Sequence, residues 1–300
     1  MDILAPNYAT NSVEAANGIP FKTELAFADH KGVYKPRIEK KQRKLALKLD
    51  FLKDFLEQDE EVLAITTAVS PTSFLDRVTT GMIFVYIWRC MLVFTDRRII
   101  HVPTTQGYRY RQSLAQIGYN DIASIALKGA KLKIEYKSNA KEQFLYVRGS
   151  ERRKIRALLA DLNLQGMPSD AAQRHHICPR CASALTAGLY ECRSCKLEFK
   201  DKTTARKRSI WLPGGGYFYT GHPWLGIGDA LFESLLVFGI IISFVPTVDF
   251  PDPDISGAIF LGVILIFEKL VTVYHANHFV KEYLTKDKEI KSPLAPAFPV

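Results

Sequence analysis

Two long apolar runs constrain this chain more than any other feature: residues 224–245 (WLGIGDALFESLLVFGIIISFV) and 255–274 (ISGAIFLGVILIFEKLVTVY). At about 1.5 Å of rise per residue, a helix of either length crosses the hydrocarbon layer. The linker between them, PTVDFPDPD, is short, acidic and proline-rich. The outer flanks are basic: KDKTTARKRS, with Lys200, Lys202, Arg206, Lys207 and Arg208, precedes the first run, and KEYLTKDKEIK follows the second. Because cytosolic loops collect Lys and Arg, the pattern predicts an integral membrane hairpin with both termini in the cytosol. The N-terminal stretch MDILAPNYATNSVEAANG lacks the basic-then-apolar order of a secretory signal, which fits a cytosolic soluble part. Topology thereby accounts for the basic cluster at 200–208, and for part of the formal charge of +9, without nucleic acid.

Both runs carry charge, Asp229 and Glu233 in the first, Glu268 and Lys269 in the second. Ionisable groups inside a membrane are costly and usually paired or functional. Counted from the cytosolic ends, Glu233 and Lys269 reach similar depths, so an intramembrane pair of Lys269 with Glu233 or Asp229 is expected. Snorkelling of the same side chains to the headgroups is the competing reading. Ahead of the first run, LPGGGYFYTGHPWLGIGDA combines three glycines with Trp211, Tyr217, Phe218, Tyr219 and Trp224, which suits a tight interfacial turn. A phosphate loop is a poor alternative, because no G-K-S/T follows the glycines and no strand precedes them.

Four of the five cysteines, Cys178, Cys181, Cys192 and Cys195, form two C-x2-C pairs ten residues apart, and Cys90 stands alone in an apolar stretch. Two such turns joined by a short hairpin aim four sulfurs at one centre, the tetrahedral cage of a structural zinc ion. Four thiolates leave no open coordination position, so the zinc is expected to be structural and not catalytic. An iron–sulfur cluster takes the same donors, though the doubled spacing is the more usual zinc pattern. Leu185, Tyr190, Leu197 and Phe199 are expected to pack around the ion, with His175 and His176 as surface residues.

Residues 1–38 lack a sustained period and are expected to be a loosely ordered arm. In 39–58, Leu45, Leu49, Leu52, Phe55 and Leu56 share one helical face, predicting an amphipathic helix of roughly four turns. From 59 to 165 short strands dominate: EVLAITTAV, two strands around the turn Thr95–Arg98, YRYRQSL, and the hairpin KLKIEYK/EQFLYVR. SERRKIRALLADL closes the region as a helix with Ser150 as N-cap and Ile155, Leu158, Leu159 and Leu162 inward. GMIFVYIWRCMLVF is too short for a span and carries Arg89 centrally. It reads as core of this domain, with a membrane-dipping insertion as the alternative.

LVFTDRRIIHV, YNDIASI and VRGSERRKIRALL, in that order, resemble the bacterial pleckstrin-homology-like (PH-like) domains of the GRAM type. PGGGYFYTGHPWLGI resembles small two-helix bacterial membrane modules, with the helix ahead of it reduced to about SIWL. The whole layout resembles a family of bacterial membrane proteins that joins a PH-like domain, a zinc ribbon and a two-helix segment. The resemblance implies an α+β fold: a curved antiparallel sheet or partial barrel with a C-terminal helix (59–165), a zinc ribbon (174–201), a membrane elbow and two spans (209–280), and a cytosolic tail (281–300). It implies a non-enzymatic scaffold in the bacterial inner membrane, meeting membrane lipids and a protein partner at the cytosolic face. No nucleic acid or small-molecule substrate is expected, and phosphoinositide binding does not carry over, since no dense basic loop joins the first two strands. Two alternatives stand beside it. One is an enzyme or transporter component using His222, His275 and His278 with Asp229; the other is a membrane-tethered nucleic-acid-binding regulator.

Overall fold

Strand alternation is clean only where one sheet face is dry, and this chain builds one sheet of each kind. In the computed structural model, which describes residues 18–169, 172–245 and 252–286, the chain is α+β with antiparallel sheets and two apolar C-terminal helices. The elements begin with α1 (Thr23–Ala26), α2 (Pro36–Ala46), β1 (Val62–Val69), α3 (Phe74–Thr80) and α4 (Phe84–Ile87). Strands β2 (Arg89–Thr95), β3 (Arg98–Pro103), β4 (Leu114–Gly118), β5 (Ile122–Lys128), β6 (Lys131–Tyr136) and β7 (Lys141–Phe144) follow. Then come α5 (Arg152–Ala160), β8 (His175–Ile177), α6 (Lys202–Trp211), α7 (Gly215–Tyr219), α8 (Pro223–Ile242) and α9 (Ile255–Val280).

One antiparallel sheet runs β1-β2-β3-β4-β8 and a second runs β5-β6-β7. The free edge of β1 meets the end of β7 through a reciprocal Val69–Leu145 bridge, N–H to O at 2.8 and 2.9 Å. Between the two sheets lies a core of Leu92, Phe94, Ile99, Ile134, Tyr136 and Phe144, closed by Ile155 and Leu159 of α5. A second core covers the opposite face of the larger sheet, where Ile65, Met91, Val93 and Ile100 meet Leu45, Leu49, Leu52 and Phe55. Every residue of β1 is therefore buried, whereas β6 alternates exposed and buried as KLKIEY predicts.

Several expectations need correction. Residues 18–38 are not a loose arm: Ile19, Ala26, Phe27 and Ala28 are buried, and residues 1–17 lie outside the described residues. The long amphipathic helix ends at Ala46, and Asp50–Phe55 is a 3-10 helix. A tighter helix of about three residues per turn stacks Leu49, Leu52 and Phe55 on one side, so the same apolar spacing serves both conformations. YRYRQSL is not a strand, because Tyr108 and Gln112 take φ of 59° and 56°, which breaks the extended chain. Ser150 is not an N-cap; it lies in a 3-10 turn and its Oγ accepts from Lys41 Nζ at 2.6 Å. The helix before the glycines is longer than SIWL, running over ten residues as α6.

GMIFVYIWRCMLVF divides. Its second half is β2 in the core, while residues 74–87 leave the sheet as short helices lying along α9. Ser73 Oγ lies 2.8 Å from Tyr274 Oη, Thr79 Oγ1 2.7 Å from His275 Nε2, and Asp76 Oδ2 2.9 Å from His278 Nδ1. Phe74, Leu75, Val78, Met82 and Ile83 stay exposed.

The glycine run lets α7 pack at close range. Gly214 has φ of 64°, and a Cβ on Gly215 would sit 2.3 Å from the carbonyl oxygen of Arg208 in α6. A Cβ on Gly262 of α9 would meet nothing within 4 Å. Gly215→Ala is therefore expected to cost about 1–3 kcal/mol through overpacking. Gly262→Ala is expected to leave the melting temperature unchanged or raise it, and comparing the two melts in detergent checks both.

Candidate metal centre and the junction around it

The two C-x2-C segments fold as copies of one turn. Ala182 N donates to Cys178 O and Lys196 N to Cys192 O, both at 2.9 Å. Cys178 N donates to Ser183 O at 2.8 Å and Cys192 N to Leu197 O at 2.9 Å. Ala182 and Lys196, each just after the second cysteine of its pair, both have φ of 58°. The repeat turns the two sulfurs of each knuckle to one point.

Cys178 Sγ and Cys195 Sγ are 3.5 Å apart, Cys181 Sγ and Cys192 Sγ 3.6 Å, and all four lie within 4.8 Å of one another. A tetrahedral ion with metal–sulfur arms of about 2.3 Å has sulfur–sulfur edges of about 3.8 Å. The four cysteines, all free of disulfides, fit such an ion. Burial pushes the Cys178 thiol well up. Burial also raises Cys181, but hydrogen bonds from Ser183 and the neighbouring thiols outweigh it and bring Cys181 down to about 7. Leu185, Tyr190, Leu197 and Phe199 do surround the site.

The tail is the unexpected part. Residues 281–286 do not leave as a free tail; they fold back onto this module, and 287–300 lie outside the described residues. Tyr283 packs edge-on against Phe199 at 5.6 Å, donates its hydroxyl to Thr186 O and accepts from Gly188 N. Lys200 N donates to Leu284 O and Lys286 N to Glu198 O, pairing the tail with the module as a strand would. His175 and His176 are not surface residues either: they form β8, and Gln116 Nε2 lies 2.7 Å from His175 Nε2.

Two arginines join these parts to the sheet. Arg111 donates to Thr220 O at 3.0 Å and lies 2.9 Å from His222 Nε2, at the elbow before α8. Arg174 reaches Glu142 Oε1 at 3.1 Å, His101 Nδ1 at 3.1 Å and Glu282 Oε2 at 3.8 Å. His101, fully buried, also lies 2.8 Å from Ser70 Oγ, and burial followed by the charge of Arg174 holds its pKa well below 6.5.

Along the apolar hairpin, Lys269 Nζ is 2.7 Å from Glu233 Oε2 and 2.9 Å from Ser209 O of α6. Asp229 instead faces Thr272 Oγ1, 3.3 Å from each of its oxygens, and Thr272 Oγ1 is 2.6 Å from Glu268 Oε1. Glu268 was visible in the sequence as a charge, but its convergence with Asp229 and Glu233 depends on how the helices face. His222, His275 and His278 are not brought together: they face Arg111, Tyr217 with Thr79, and Asp76 respectively. They do not converge with Asp229 as one metal site, because each imidazole is engaged by different partner side chains. Among the described residues, the clusters able to hold a metal are the four cysteines and the Asp229–Glu233–Glu268 group.

No protein-family model matches the chain, and neither curated proteins nor solved structures give a significant match.

Lys269→Glu is expected to cost about 3 kcal/mol by leaving Glu233 beside a like charge, and Glu233→Lys in the same chain to restore much of it. Melts of the single and double variants in detergent check this. His101 is neutral in the fold and protonated in the unfolded chain below about pH 6.5, so the unfolded state binds more protons there. Stability should fall as pH drops below that value, by up to about 1.4 kcal/mol per pH unit for this one group. In His101→Gln the fall between pH 7 and 5.5 should be shallower.

Proposed function

We propose that this protein is a membrane-anchored, non-enzymatic scaffold whose PH-like sheet domain is held over the cytosolic membrane face by a structural zinc ribbon. The observation that carries this reading is the returning tail, since residues after α9 pack at once against the four-cysteine module and bond the segment that leads into β4. Thr285 Oγ1 donates to Gln112 Oε1 at 2.6 Å, and Ser113 Oγ donates to Glu282 O. A module clamped between an anchor and a domain suits a joint better than a moving or reacting part. Zinc is the favoured ion for four thiolates in a tetrahedral, closed site. Two antiparallel sheets meeting at one edge and closed by α5 agree with the PH-like reading.

The two apolar helices each contain an 18-residue stretch of mean hydropathy 2.0 that is mostly exposed, as membrane spans are. Trp211 and Trp224, 81% and 78% exposed, flank the elbow where aromatic side chains meet headgroups. Basic residues on α6 and after α9, against Asp252 and Asp254 at the hairpin tip, favour both ends in the cytosol of a bacterium. The exposed apolar side of residues 74–83 favours a shallow insertion beside the spans. Its partners on this reading are membrane lipids and a protein docking on the sheet domain, with neither nucleic acid nor a small-molecule substrate.

The purified protein should carry one zinc per chain by elemental analysis. Cys178→Ser or Cys192→Ser should lose the zinc and expose residues 174–201 to protease. Retention of zinc and protection in both variants would remove the joint. A tryptophan at Val78 should be quenched by brominated lipid in vesicles; no quenching would take the insertion away.

A further inference from the structure

The charge balance along α8 and α9 points to a second metal, chemically unlike the first. Asp229 and Glu233 stand four residues apart on α8, on one face, and Glu268 comes from α9. One carboxylate oxygen of each lies within 4.8 Å of the others. Lys269 neutralises one of these charges through Glu233 Oε2. Glu233 is only 2% exposed, yet its Oε1 has no hydrogen-bond partner among the described residues, and neither has the buried Oε2 of Glu268. Buried acceptors left empty cost free energy, and three ionised carboxylates with one ammonium would leave two negative charges among apolar helices.

We propose that Asp229, Glu233 and Glu268 bind one hard divalent cation of the magnesium, manganese or calcium type. Two positive charges cancel the residual two, and the unpartnered oxygens gain a ligand. Such ions take carboxylate oxygens at about 2.0–2.6 Å, so oxygens sharing one ion stand no more than about 4–5 Å apart, and the three of this cluster lie within 4.8 Å of one another. A cavity of about 460 Å³ opens against Asp229 and Glu268, lined also by Thr79, Tyr217 and His275. It leaves room for the water ligands that such ions retain. Oxygen-only donors set this site apart from the four thiolates, which select a softer ion.

The test uses the full-length, zinc-loaded protein in detergent at pH 7, titrated with Mn²⁺ and read by loss of the free-ion electron paramagnetic resonance signal. One Mn²⁺ per chain is expected beyond the zinc, with a rise in melting temperature on saturation. Glu268→Gln and Asp229→Asn should each weaken binding at least about tenfold and abolish that rise, with zinc content unchanged as the sign of an intact fold. No bound Mn²⁺ in the wild-type protein would overturn the proposal and leave protonation to balance the cluster. So would Mn²⁺ binding that both zinc-retaining variants keep. If either variant loses its zinc, Glu268→Asp, which keeps a carboxylate, must bind one Mn²⁺, and failure to do so with zinc retained counts against the site.

Discussion

The architecture turns on the short stretch of chain after α9. Glu282, Tyr283, Leu284 and Thr285 are all buried, although they follow directly on an apolar helix that is itself largely exposed. Tyr283 adds a third aromatic ring beside Tyr190 and Phe199 of the four-cysteine module, for so small a unit has little core of its own. The backbone of the same stretch extends that module and reaches the sheet through Gln112 and Ser113. Three parts that look separable in the sequence thus share one set of buried contacts, and none can shift without opening the other two.

The polar contacts at this junction restrain orientation more than they add stability. Arg174 is mostly buried, its side chain 13% exposed, with Glu142 of β7, His101 of β3 and Glu282 of the tail around it. Removing one partner of a buried pair leaves an uncompensated charge and costs about 3–5 kcal/mol, whereas the intact pair contributes far less net. Burial lowers the pKa of Arg111 only to about 10, so it keeps its charge at neutral pH and goes on donating to the carbonyl of Thr220. The two arginines therefore penalise every arrangement but one.

How much of this could be read from the chain depends on whether the signal was local. The knuckles were legible because C-x2-C spacing determines its own turn, down to the left-handed residue after each pair. β6 was legible because one of its faces meets solvent; β1 betrays no alternation because both faces are dry, and only its β-branched content marked it. The spacing of Leu45 to Leu56 misled for a physical reason, since three-residue intervals satisfy a 3-10 helix as well as an α-helix. Arg111, Arg174 and Tyr283 gave no local sign, because their partners lie tens to more than a hundred residues away. Glu268 was seen as a charge but not as a third carboxylate of the cluster, which depends on the rotation of two helices about their own axes.

The excursion between β1 and β2 has its amphipathicity turned inside out. Ser73, Asp76 and Thr79 recur every three residues and face Tyr274, His278 and His275 of α9, while the apolar residues of the same turns face away from the protein. A helix on a protein in water does the reverse. Its polar side is consumed by α9, so its outer side gains nothing from water and asks for an apolar surrounding. Residues 70–88 are also far longer than a hairpin connection requires, and long connections of this kind are usually retained for function. The excursion forms one wall of the cavity beside Asp229 and Glu268. Because it is continuous with β1 and β2, this wall ties the cavity to the sheet domain as well as to the two apolar helices.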